Sequence, residues 1–175
     1  MKSAIHLFIL LFVFGQVHAQ KKSLGYGATV PKPTISEIAY GKHDRNVLDF
    51  WKAESDSPTP VAFVIHGGGW KGGSKERLDR FADTNALLEA GISVVAINYR
   101  YVTSTEEPPV KAPLHDAARA LQFVRSKAKA WNLNKERIGA AGGSAGACSS
   151  LWLAFHDDLA DPKSKNPVAR ESSRL

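Results

Sequence analysis

The sequence is poor in cysteine and has no apolar run long enough to span a membrane. Cys148 is the only cysteine of the 175 residues, so a disulfide bond within the chain is excluded. The longest apolar run, over residues 4–15, is shorter than the roughly 20 residues that a membrane-spanning helix needs. Stability must therefore come from a packed core, and a composition that is 43% hydrophobic can supply one.

This apolar run has the surroundings of a secretory signal peptide. It follows Met1 and Lys2, and residues 17–19 (Val-His-Ala) place small or modest side chains where a signal peptidase would cut. We therefore predict a signal peptide over residues 1–19, a secreted or periplasmic protein, and no membrane attachment after cleavage. An uncleaved N-terminal anchor helix is the alternative.

Basic residues are in excess, but they are not clustered. The net charge is +6, and the only basic run is Lys21-Lys22. A nucleic-acid-binding surface would be expected to concentrate its lysines and arginines on one helix or stripe. We predict no nucleic-acid partner, and we interpret the charge as a solvated surface with a mild preference for anions.

The rest of the chain predicts one α/β domain. Residues 20–33, rich in glycine and proline, are predicted to be a flexible entry segment, and 34–175 form the domain. Residues 35–40 and 47–51 favour an antiparallel strand pair. Further strands are predicted over 61–65, 92–97 and 137–142, alternating with helices over 74–88, 115–131 and 145–155. This alternation is typical of a mostly parallel, doubly wound sheet.

Two of the predicted helices have specific local signals. Ser74 is a candidate N-cap of the first, and Gly91 lies just past its end. Apolar residues of the second recur at spacings of four and three, as one buried stripe. These residues are Ala117, Leu121, Val124, Ala128 and Trp131. Asp116 and Arg119 are a candidate ion pair near the start of that helix.

The third helix follows the motif G-x-S-x-G at Gly142–Gly146. Between a strand and a helix, this motif forms a strained turn that lifts the hydroxyl of Ser144 clear of the sheet. Gly142 and Gly146 avoid collisions with the neighbouring strand. The motif alone is equally compatible with a turn of small residues that only packs a helix on a sheet.

A second glycine motif, His66-Gly67-Gly68-Gly69-Trp70, follows the predicted strand 61–65. Such a run lets bare N–H groups approach the carbonyl that a serine attacks. Gly67, Gly69 and Gly72 also satisfy the dinucleotide-binding pattern G-x-G-x-x-G. The late helix start and the bulk of Trp70 argue against that alternative.

Together these segments resemble a known family. The loop 66–70, Asn98-Tyr99-Arg100 after the next strand, and the turn 142–146 resemble α/β-hydrolase esterases of the HGGG type. They are similar to the BD-FAE-like group (feruloyl and acetyl xylan esterases), and kynurenine formamidases share the HGGxW loop. The resemblance covers about residues 35–175 and implies an α/β-hydrolase fold that stops after the helix following the turn.

The resemblance also implies roles for individual residues. It implies Ser144 as nucleophile and the amides of Gly68, Gly69 and Ala145 as oxyanion hole. His66 and Gly67 hold the loop in shape, and Trp70 either lines the substrate pocket or only packs. In the family the catalytic acid and histidine follow far downstream. Here His156, on the helix after Ser144, is the only later histidine and is too far along the axis to reach it.

We therefore expect the N-terminal part of a serine carboxylesterase, nearly inactive as these 175 residues alone. The implied substrates are small esters or acylated polysaccharides, without metal or organic cofactor. Two alternatives remain open, an arylformamidase-like amide hydrolase and a non-catalytic binding protein. Cys148 is interpreted as a small buried residue, and the sequence does not indicate the oligomeric state.

Overall fold

The computed structural model describes residues 25–103, 105 and 107–175. The predicted signal peptide, residues 1–19, lies outside them and stays a prediction, as does the flexibility of residues 20–33. Residues 25–34 have no helix or strand, but they are attached to the domain. The ring of Tyr26 packs edge-on against Trp51 at 5.1 Å, and Trp51 Nε1 donates to the carbonyl of Pro31 at 2.7 Å.

Five strands form one sheet. They are β1 (Ile35–Ala39), β2 (Val47–Trp51), β3 (Thr59–Ile65), β4 (Ser93–Ile97) and β5 (Leu133–Gly142), in the order β1-β2-β4-β3-β5. β2 runs antiparallel to both of its neighbours, whereas β4, β3 and β5 are parallel. Four of the five strands therefore point the same way, which confirms the prediction of a mostly parallel sheet.

Helices cover both faces of the sheet. They are α1 (Thr84–Glu89), α2 (Lys111–Ser126), α3 (Ala128–Trp131) and α4 (Ala145–Phe155), with 3₁₀ turns at Lys75–Arg80 and Pro167–Arg170. Phe63 and Ile65 of β3 pack towards α2 and α4, while Val64 packs towards α1 and the first 3₁₀ turn. Because β3 is buried on both faces, its sequence is a continuous apolar run. No helix in the described part of the chain is long and apolar enough to cross a membrane.

The predicted helix 74–88 is wrong in its first half. Residues 75–80 form a 3₁₀ turn, Ser74 makes no capping hydrogen bond, and α1 begins only after Asp83. The Asp83 carboxylate accepts from the amide of Ala86 at 3.1 Å and is the true N-cap. The turn replaces an α-helix because it carries Lys75 into a buried ion cluster and Leu78 into the core. Gly91 follows α1 in the left-handed conformation, as predicted.

The second helix starts earlier than predicted, at Lys111. Pro113 lies in its first turn, where a missing N–H costs no helical hydrogen bond. The predicted pairing of Asp116 with Arg119 is wrong. Asp116 binds Arg100, at 2.7 Å between Arg100 Nη2 and Oδ1, and accepts from the buried Asn46 at 2.7 Å. The turn after β4 thus offers the carboxylate closer donors than its own helix does.

β5 lies at the edge of the sheet within the described residues, and α4 beside it has an exposed apolar face. Leu151 is 60% exposed and Phe155 is 80% exposed. Cys148 is exposed on α4 as well, so its interpretation as a buried residue is wrong. The reason is geometric, since no described element covers this side of α4.

A buried lysine joins β1 and β2 to the first 3₁₀ turn. Lys75 is 2% exposed, and its ammonium group contacts Asp49 at 3.0 Å, Glu76 at 2.9 Å, and Glu37. Burial alone would lower the pKa of Lys75, but the hydrogen bonds to Glu37 and Glu76 and the charge of Asp49 hold it above its ordinary value. Lys75 therefore stays charged and neutralises the buried carboxylates of Asp49 and Glu76.

Replacing this lysine should leave buried negative charge without a partner. We expect Lys75→Met to lower the free energy of unfolding by about 3–5 kcal/mol, because Asp49 and Glu76 lose their counter-charge. Urea unfolding followed by tryptophan fluorescence measures the change. Lys129→Met, at an exposed position of α3, is the matched control and should stay within about 0.5 kcal/mol of wild type. Equal losses in both variants would contradict this account.

Candidate active site

Ser144 lies at the turn between β5 and α4, exposed to solvent. Its backbone dihedrals are φ 53° and ψ −121°, a conformation that residues with a Cβ rarely adopt. This strain is typical of the turn that presents a nucleophilic serine above a sheet. The structure therefore places Ser144 where the sequence motif predicts it, directly before the first residue of α4.

Two glycines make this turn possible. Gly142 and Gly146 lie so close to the carbonyl oxygen of Ile65 that a Cβ at either position would overlap it. A Cβ at Gly143 would lie 2.5 Å from the ring of Phe81. The turn is thus packed between β3 and the segment after the first 3₁₀ turn. A side chain at Gly142, Gly143 or Gly146 would overlap one of these neighbours.

The glycine loop after β3 meets this turn. A Cβ at Gly67 would lie 2.6 Å from the carbonyl oxygen of Gly143 and 3.6 Å from Ser144 Cβ, so the two backbones are in contact. Gly68 and Gly69 adopt φ angles of 119° and 61°, which favour glycine. Parallel pairing of β3 with β5 brings the two motifs together, since both follow the carboxyl ends of neighbouring strands.

The amide groups beside Ser144 are available as donors. Within the described chain, the N–H groups of Gly68, Gly69 and Ala145 donate to no other residue. Ala145 is the first residue of α4, where helix geometry leaves the N–H group unpaired. Free amides next to an exposed serine can hold a negatively charged oxygen.

His66 supports the loop and does not contact Ser144. Its ring stacks on Tyr99 at 4.2 Å, and its Nδ1 lies 2.8 Å from the carbonyl oxygen of Gly67. Arg45 Nη2 lies 3.5 Å from Nε2. Because a guanidinium only donates, Nε2 must accept and Nδ1 must carry the proton. Burial, followed by the charges of Arg45 and Arg77, lowers the pKa of His66 to about 4. His66 is therefore a neutral, structural residue.

Trp70 connects the loop to α4. Its indole Nε1 donates to Ser149 Oγ at 3.0 Å, and Ser149 Oγ donates to the Ala145 carbonyl at 2.9 Å. Trp70 packs against the core and is not among the residues that line the cleft at Ser144. Of the two predicted roles, the geometry thus supports packing.

An open cleft of about 320 Å³ lies in front of Ser144. Its walls are formed by the two glycine motifs and by the first 3₁₀ turn with its following residue. They comprise Gly67, Gly68, Arg77, Arg80, Phe81, Gly143 and Ser144. Sequence reasoning missed the two arginines and Phe81, because no motif marks the turn and the helix expected there would have placed them differently. It also missed Arg45 and Ser149, which have no sequence signal.

No described histidine or carboxylate completes a triad with Ser144. His156 caps the far end of α4, with Nδ1 2.8 Å from the carbonyl oxygen of Trp152. Its Nε2 lies 3.4 Å from the buried Ser173, whose hydroxyl donates directly to Asp158 at 3.0 Å. In a catalytic triad the acid contacts the histidine, whereas in this cluster the acid contacts the serine and not the histidine. Within the described residues, no group of three His, Cys, Asp or Glu side chains is placed to hold a metal ion.

Residues 48–173 match the model of the BD-FAE family. The chain belongs to this family. BD-FAE domains are esterase domains of the α/β-hydrolase fold, and the strand order and the turn at Ser144 are those described above. The resemblance inferred from the two glycine motifs is thereby confirmed.

Similar proteins include esterases of known sequence and structure. LipM of Mycobacterium tuberculosis, a probable carboxylic ester hydrolase, is 34% identical over 123 residues, which are 68% of this chain and 28% of LipM. The acetyl ester-xyloside bifunctional hydrolase of Caldicellulosiruptor lactoaceticus superposes with a TM-score of 0.61 at 33% identity, covering 73% of this chain and 46% of that one. An esterase of Thermogutta terrifontis superposes with a TM-score of 0.62 at 26% identity, covering 78% of this chain and 49% of that one. This BD-FAE chain spans less than half of each protein.

Two glycines on β5 provide a matched test of the turn. We expect Gly142→Ala to lower the free energy of unfolding by about 2–3 kcal/mol, because its Cβ would overlap the Ile65 carbonyl group. Gly139→Ala introduces the same Cβ three residues earlier, with no atom within 4 Å, and should be nearly neutral. Chemical denaturation measures both. Equal stabilities would mean that the turn does not need glycine at position 142.

The neutrality of His66 should appear in the pH dependence of stability. The folded pKa of about 4 lies below the unfolded value of about 6.5, so below pH 6.5 the unfolded chain takes up a proton that the native chain excludes. Stability should fall between about pH 6.5 and 4, by on the order of 3 kcal/mol. This loss of stability should be absent in His66→Gln and present in His43→Gln, a variant at an exposed position. Denaturation curves recorded across this pH range measure it. An unchanged slope in His66→Gln would refute the assignment.

Proposed function

We propose that this chain is part of a serine carboxylesterase that works through an acyl-enzyme at Ser144. The observation that supports this most directly is the shared cleft, in which an exposed, strained serine faces free amide groups. Family membership and the esterase relatives agree with it. The proposed substrates are acyl esters of carbohydrates, because one similar structure is an acetyl ester-xyloside hydrolase.

The proposed mechanism assigns each group a step. The Ser144 hydroxyl attacks the ester carbonyl, and the amides of Gly68, Gly69 and Ala145 donate to the oxyanion. A general base takes the proton of the hydroxyl and passes it to the departing alcohol. Water, deprotonated by the same base, then cleaves the acyl-enzyme, so that the acid is released and the hydroxyl is restored. Each oxyanion donor contributes on the order of 10²–10³ in rate, and the loop supplies two of them, from Gly68 and Gly69.

This mechanism needs a general base that the described residues do not bring to Ser144. His66 is excluded because Nδ1 donates to the loop and Nε2 faces Arg45. His156 is bound at the opposite end of α4. We propose that an acid and a histidine pack beside β5 and α4, where the sheet edge and the apolar face are uncovered. Without a base, turnover falls by on the order of 10⁶, so residues 1–175 alone should be nearly inactive.

The place of action is proposed from the N-terminus. Residues 1–19 have the pattern of a signal peptide, which favours an exported enzyme acting on substrates outside the cytoplasm. Acylated polysaccharides are substrates of that kind. Export also argues against the arylformamidase alternative, whose substrates arise inside cells.

The nucleophile can be tested without a complete triad assignment. A fluorophosphonate should add covalently to Ser144 of the protein as its host produces it, and intact mass spectrometry should show the adduct. Ser144→Ala should lose both the adduct and the hydrolysis of 4-nitrophenyl acetate. Cys148→Ser, one helical turn later on the exposed side of α4, should keep both. An adduct that persists in Ser144→Ala would disprove the assignment.

A further inference from the structure

The cleft in front of Ser144 carries positive charge that the proposed hydrolysis does not use. Arg77 and Arg80 line it from the 3₁₀ turn Lys75–Arg80, and both are exposed. Among the residues described, no carboxylate lines this cleft. The other walls are backbone glycines, the serine and the ring of Phe81.

Neighbouring acids on the same turn do not neutralise these arginines. The Asp79 carboxylate points to the entry segment, where a Cβ at Gly27 would lie 2.6 Å from Oδ2. Glu76 is buried, and its carboxylate contacts Lys75 at 2.9 Å. Within the described chain, no ion pair joins Arg77 or Arg80 to an acid. Both guanidinium groups are therefore available to an anion in the cleft.

The position of the arginines restricts which anion fits. In a substrate whose carbonyl carbon is within reach of Ser144 Oγ, the part that extends along the wall of Phe81, Arg77 and Arg80 meets the two arginines. Guanidinium groups recognise carboxylates through paired, charge-assisted hydrogen bonds. An anion carried by the same small molecule as the scissile ester is therefore placed to bind them.

We propose that this site selects esters that carry a carboxylate near the scissile bond, with Arg77 and Arg80 as the groups that bind it. The proposal rests on the proposed function, since it assigns a substrate class to the same serine. The carboxylate belongs to the acyl group, as in a half-ester of a dicarboxylic acid, or to the alcohol, as in an acylated uronic acid.

Two matched substrate pairs distinguish these sources. On the acyl side, 4-nitrophenyl hemisuccinate is compared with 4-nitrophenyl butyrate, which has the same chain length without charge. On the alcohol side, an acetylated methyl glucuronoside is compared with the acetylated methyl glucoside. The measured quantity is the ratio of kcat/KM, charged over neutral, for the protein as its host produces it. We expect a ratio above one for at least one pair.

Variants connect this ratio to the arginines. The double variant Arg77→Gln/Arg80→Gln should lower it about tenfold, and Arg80→Glu should favour the neutral ester. Arg170→Gln, an exposed arginine outside the cleft, is the matched control and should keep the wild-type ratio. The ratio should also fall as ionic strength rises, a response that a purely structural role of the arginines would not give.

Each outcome bears on the proposal. A ratio near one for both pairs, or a preference that survives the double variant, overturns it. If none of the four esters is hydrolysed, the esterase proposal fails, and titration calorimetry with succinate then decides about the anion site. Succinate binding that the double variant abolishes supports the site, and absence of binding overturns it too.

Discussion

The contact between the Ile65 carbonyl group and two glycines is the constraint on which the rest of the site depends. Gly142 ends β5 and Gly146 lies in the first turn of α4, and both press against the same oxygen at the end of β3. This close approach fixes the turn that carries Ser144 over the sheet, and Ser144 has a positive φ of 53° there. Because backbone atoms form the contact, a rearrangement of side chains cannot make room for a larger residue at position 142 or 146.

The segment 66–75, which contains the glycine loop, is fixed at one end by a neutral side chain and at the other by a charged one. At its start, His66 is held neutral between Tyr99 and Arg45. At its end, Lys75 is held charged among buried carboxylates. Glycine residues between these anchors have no side chains with which to stabilise a conformation of their own. The anchors therefore allow the amides of Gly68 and Gly69 to stay unpaired in a defined position.

Much of the fold could be predicted from the sequence, because its signals are local. The apolar run of β3 and the small residues of the turn at Ser144 depend only on neighbouring positions, and α4 was predicted with its observed ends. The 3₁₀ turn at Lys75–Arg80 could not be predicted, since its cause is an ion cluster with β1 and β2. For the same reason the partner of Asp116 and the two cleft arginines were missed. The exposure of Cys148 depends on what covers α4, which no local pattern encodes.

The strand order has a consequence for how the site comes into existence. β3 lies between β4 and β5, so Gly67 contacts Gly143 across 76 positions of sequence. Contacts of this length carry a high entropic cost of loop closure and form after local structure. Neither glycine motif, as a separate peptide, would reproduce the arrangement of serine and amides. The chemistry of this chain is thus a property of a completed sheet, and it appears only at the end of folding.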